Sequence, residues 1–106
     1  MSEPDRLSLL WEQHLRATFP PHLRGRDVAG EDVVMLDADI AGCVSSALSG
    51  HLDERRHRVL VRCLGAVEKV IPSIGEDGGA REYLERLREM AESAIRPGDA
   101  ETAPDR

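Results

Sequence analysis

Aromatic side chains are almost missing from this 106-residue chain: Trp11, Phe19 and Tyr83 are the whole set. A core built without them must be aliphatic, so each of the three is a candidate for a specific role. Cysteine is as scarce. Cys43 and Cys63 lie twenty residues apart, without the spacing of a redox motif or zinc site. They read as two small hydrophobes on apolar helix faces, in a reducing compartment, ahead of a disulfide or redox pair. No apolar run approaches the ~20 residues that cross a bilayer, and the opening MSEPDR has the wrong charge for a signal peptide. The expectation is a cytoplasmic protein with no membrane segment.

Chemical motifs are missing too. There is no phosphate-binding glycine loop, no nucleophile elbow and no zinc-ligand set. Their absence argues against an enzyme, and no cofactor is implied. Excess positive charge is also lacking: 14 Lys and Arg stand against 20 Asp and Glu, for a net charge of −6. Phosphate neutralisation is the main source of non-specific nucleic-acid affinity, so that partner class is disfavoured.

What remains is a well-solvated globular composition, 41% hydrophobic and 32% charged. It suits one helical domain over residues 1–96 and a disordered, proline-broken tail over 97–106. The longest helical pattern runs from Leu52 to Ile71. At 100° per residue Leu52, Val59, Leu60, Cys63, Leu64, Val67, Val70 and Ile71 share one face. His51, Arg55, Arg58, Arg62 and Lys69 form a basic ridge on another. Asp53 caps this helix, Glu54 and Arg58 form an i, i+4 pair, and Pro72 ends or kinks it.

Three more helices follow from the same periodicity. Ser2 to Phe19, capped at Ser2 and Asp5, carries Leu7, Leu10, Trp11, Leu15 and Thr18 on its stripe, with His14 as a hydrogen-bonded, partly buried histidine. Pro20-Pro21 stops it. A helix starting at Asp37 or Asp39 and ending before Gly50 places Ile40, Cys43, Val44, Ala47 and Leu48 inward. A last helix, from about Ala80 to Ile95, buries Tyr83, Leu84, Leu87, Met90, Ala91, Ala94 and Ile95, and carries Glu82, Glu85, Glu89 and Glu92 as an acidic stripe. Residues 20–39 read as a long ordered connection, with Val33 to Leu36 as a short extended run. The fold class is all-α, a small antiparallel bundle of about four helices. Its central pair is expected to be helices two and three.

Helix two holds the main functional signal. No charge occurs from Ile40 to Gly50, and Gly42, Ser45, Ser46 and Ser49 make a small uncharged face. A solvated helix normally carries charge on its outer side, so the reading is either cover by another helix, from this chain or a second subunit, or, equally, a short exposed helix that happens to be serine-rich. With Arg55, Arg58 and Arg62 alongside, this gives a non-catalytic interaction module that binds a protein partner or forms a homodimer. The opposed basic and acidic ridges are placed for contacts between molecules. The alternative is a divalent-metal or small-ligand site around Asp37 and Asp39, with Glu31 or Asp32, and around His51, Asp53 and His57. Helix capping competes with it for the aspartates, because each stands just ahead of a helix.

Overall fold

The computed structural model describes residues 3–95. The cap read at Ser2 and the tail read over 97–106 lie outside them. Four helices, α1 (Glu3–Arg16), α2 (Val33–Leu48), α3 (Glu54–Ser73) and α4 (Gly78–Ile95), pack against one another. Between α1 and α2 come a 3-10 turn at Pro21–Leu23 and a hairpin of β1 (Asp27–Val28) and β2 (Glu31–Asp32). The all-α bundle is the fold, and short connectors turn α2 into α3 and α3 into α4.

Its centre differs from expectation. Helices α2 and α3 do pack side by side; α2 and α4 each touch all three others, and α4 does so most extensively. Ala80, Tyr83, Leu84, Leu87, Met90, Ala91 and Ala94 are all buried along it. The alanines explain the position, because small side chains at the edges of the stripe let neighbouring helices close in on both flanks. On α3 the inward face is as read, with Leu60, Cys63, Val67, Val70 and Ile71 buried. On α1 the stripe runs through Leu7, Leu10 and His14, while Leu15 stays 63% exposed. Thr18 lies beyond the helix end and is exposed too.

The start of α2 is a correction. Neither Asp37 nor Asp39 is its cap. The cap is Asp32, whose Oδ1 accepts from the Met35 N–H at 3.3 Å. Val33 to Leu36, read as extended, form the first helical turn instead. The reason lies in the stripe: Val33 and Leu36 are buried in line with Ile40, Cys43 and Val44, so starting the helix early buries two more apolar residues.

Caps at the other ends follow local chemistry. Asp53 Oδ1 accepts from the Arg56 N–H at 2.8 Å and starts α3. Pro72 lies inside the last turn, one residue before α3 ends at Ser73, and its missing N–H forgoes a bond back to the preceding turn. Ser73 Oγ donates to the Lys69 carbonyl at 3.4 Å beside it. Asp77 opens α4 two residues before the expected start, its Oδ1 accepting from Ala80 N–H at 3.1 Å.

The connection is more structured than a loop. Leu23 and Val28 are buried and pin it to the core. The hairpin pairs Val28 with Glu31 and Asp27 with Asp32. Its two turn residues, Ala29 at φ 53° and Gly30 at φ 80°, both take positive φ, the pattern of a type I′ turn that matches strand twist.

Candidate functional site

The outer face of α2 is uncovered. Gly42, Ser45 and Ser49 are exposed and Ser46 is half-buried. A Cβ placed on Gly42 meets no atom within 4 Å, so no other part of the described chain approaches the helix there. Of the two covers expected, the one from within the chain is therefore gone. An open groove runs between this face and α3, with Ala38, Asp39, Gly42 and Ser46 on one side and Arg55, Arg56 and Val59 on the other. Gly42, Ser46 and Arg55 of the predicted contact surface thus meet in one groove, together with Asp39 and Asp53 of the metal candidates. Ser45 and Ser49 are exposed on the same helix but do not line it, and exposed Arg58 and Arg62 lie along α3. One residue was missed. Met35, seven before Gly42 and fourteen before Ser49, is 55% exposed at the head of the same helix.

Charge on the helices is partly consumed within the molecule. On α4, Glu85 pairs with Arg81 at 3.5 Å and Glu92 with Arg88 at 3.2 Å, both at i, i+4. Glu89 reaches Arg6 of α1 at 3.5 Å. The acidic stripe is therefore mostly neutralised at home. On the basic ridge Arg58 meets Glu54 at 3.5 Å, as expected, and Lys69 meets Glu31 at 3.0 Å. Among the described residues Arg55 and Arg62 have no ion-pair partner within 4.0 Å.

Of the weaker candidates only Asp39 and Asp53 come together, in the groove, and the others scatter. Asp37 turns inward and Asp39 outward to the groove. Asp53 directs its carboxylate to Arg56, with Nη1 at 3.1 Å, rather than to His57. That backbone cap, more than the guanidinium, holds the Asp53 carboxyl below the usual aspartate range. His51 is exposed and His57 half-buried. Among the described residues no three His, Cys, Asp or Glu side chains are gathered to hold a metal ion.

Asp37 instead belongs to a buried polar cluster. Tyr83 O–H donates to its Oδ2 at 2.9 Å, and His14 Nε2 lies 2.9 Å from its Oδ1. The His14 contact is a close approach without hydrogen-bond alignment, and Asp37 Oδ1 and His14 Nδ1 are both buried and unpartnered among the described residues. Trp11 stacks on His14 at 6.2 Å, and Phe19 meets Tyr83 edge-on at 5.5 Å. All three aromatics of the chain therefore enclose this cluster. Burial, reinforced by the Asp37 hydrogen bond, pushes the Tyr83 phenol well above the ordinary tyrosine range. The cluster ties α1, α2 and α4 together.

A second histidine–aspartate pair lies at the surface, where His22 Nε2 contacts Asp77 Oδ2. Both cysteines are free and buried, and burial first of all raises their thiol pKa values, which keeps them unreactive. No helix among the described residues is long and apolar enough to cross a membrane. No protein-family model matches the chain, and no curated protein or solved structure matches it significantly.

Proposed function

We propose that this protein is a small non-catalytic interaction module whose contact surface is the outer face of α2 with the adjoining wall of α3. The observation that carries the reading is the uncovered, uncharged helix side at Gly42, Ser45, Ser46 and Ser49. Water-facing helices ordinarily carry charge there, and small side chains permit close backbone approach.

The occupant we favour is a second copy of the chain. A twofold interface sets one patch against itself. On a molecule of net charge −6 the uncharged side of α2 meets its own copy without like-charge repulsion, and the groove beside it carries both signs, Asp39 and Asp53 with Arg55 and Arg56. The acidic stripe of α4 contributes little to such a contact, being paired internally. Two free, buried thiols suit the reducing cytoplasm in which we place the protein.

Sedimentation tests the reading. Ser46→Arg puts a long charged side chain into the groove. It is expected to abolish association and leave the far-UV circular dichroism of the monomer unchanged. Association that survives Ser46→Arg and Ser45→Arg alike removes α2 as the surface.

A further inference from the structure

The connection between α1 and α2 sends one side chain across to another element. His22, in the 3-10 turn, places Nε2 against Oδ2 of Asp77 at the head of α4. Asp77 is already fixed, because its other oxygen accepts from the Ala80 N–H at 3.1 Å. Beside the pair lies an open pocket whose walls include Leu23 and Val28, the two buried anchors of the connection, and Ile74 at the end of α3. The pair thus spans the only polar bridge recorded between the 3-10 turn and α4 among the described residues.

We propose that His22 and Asp77 form a pH-sensitive clasp that holds the α1–α2 connection against the head of α4, firm when His22 is protonated and loosened when it is neutral. This device is independent of the interaction surface on α2.

The surroundings leave Asp77 as the deciding neighbour. From the connection, Arg26 and Asp27 line the same pocket and carry opposite charges. From α3 come only the uncharged Ser73 and Ile74. In the α3–α4 turn Glu76 stands exposed next to Asp77. On α4, Arg81 is engaged elsewhere, donating to the Gly75 carbonyl at 3.3 Å and to Glu85 at 3.5 Å.

The sign of the effect follows from the two partners. The Ala80 N–H, and after it His22, hold the Asp77 carboxyl below the usual aspartate range. A depressed carboxyl contributes its stability above that range and loses it only as pH falls through the lowered value. Histidine ordinarily titrates near pH ~6.5. The clasp is therefore closed while Asp77 is ionised and His22 carries its proton, and relaxes when that proton is lost.

Amide hydrogen exchange in the turn reads the clasp directly. The N–H groups of Leu23, Arg24 and Arg26 donate to Pro20, Pro21 and Leu23 carbonyls at 3.0, 3.2 and 3.3 Å, so they exchange when the turn opens. Wild type is to be compared with His22→Gln and with Asp77→Asn, which keeps a capping oxygen while removing the charge. The comparison is made at about pH 5.5 and about pH 8.5, either side of the histidine range. At the lower pH, wild-type protection should exceed that of either variant by a few-fold, the size expected of a half-exposed ion pair. At the higher pH His22→Gln should coincide with wild type, while Asp77→Asn retains only the smaller gap left by the lost charge at its cap. Taking each variant as a ratio to wild type cancels pH effects common to all three proteins. An equal gap at both pH values, or no gap at the lower one, overturns the clasp.

Discussion

His14 with Asp37 and His22 with Asp77 are the same chemical pair in two settings. The first is enclosed by the three aromatic rings, with side chains 7% and 21% exposed. The second lies half in water, at 50% and 35%. Burial makes the inner pair costly to break, because a lone carboxylate or imidazole there has no water to turn to. Exposure makes the outer pair cheap to break. The inner pair is a structural joint between helices, and the outer one suits a reversible contact.

The comparison is sharpest where its two halves diverge most. Asp37→Ala strips both His14 and Tyr83 of their shared partner, and urea unfolding should show a loss of about 2–4 kcal/mol. Combining it with His14→Leu and Tyr83→Phe should recover part of that loss, since an all-apolar site leaves no orphaned polar atom. A triple variant no better than the single one would mean that packing, rather than polarity, dominates the joint. Tyr83→Phe alone removes one hydrogen bond and keeps the ring, so about 1 kcal/mol is expected.

Alkaline pH probes the same joint. The Tyr83 pKa is raised on folding, so its stabilisation is complete below the unfolded-state value near ~10 and declines as pH climbs above it. Melting curves of wild type should therefore fall faster than those of Tyr83→Phe above that pH. Parallel curves would show that the phenol is not held protonated by the fold.

At the outer pair the expected effect is smaller. His22→Gln should leave the melting temperature almost unchanged at alkaline pH and lower it slightly in mild acid. The smallest effect belongs to the hairpin. Ala29→Asn supplies a residue better suited to positive φ beside Gly30, and should raise stability by a few tenths of a kcal/mol.

Much of this architecture was legible in periodicity. The inward faces of α3 and α4 and the cap at Asp53 followed from spacing and residue type alone. The start of α2 was misread because Asp37 and Asp39 look like caps and Val33-Val34 look like strand, both local signals. The stripe that overrides them was already present, since Val33, Leu36 and Ile40 continue the helical repeat. The polar cluster was not legible, because Tyr83 and Asp37 are 46 residues apart and only the packing of α4 brings them together. The groove was half legible: missing charge marked the face, while its neighbour Val59 and the exposed Met35 needed the fold.

The central claim is that the uncharged side of α2 is a contact surface between copies. Sedimentation equilibrium of wild type and Ser46→Arg, side by side across a wide concentration range, tests it most directly. The account predicts a wild-type mass near twice the 11.7 kDa of one chain, with Ser46→Arg at the mass of one chain and equally helical. A wild type that stays monomeric throughout, or a dimer indifferent to Ser46→Arg, would contradict it.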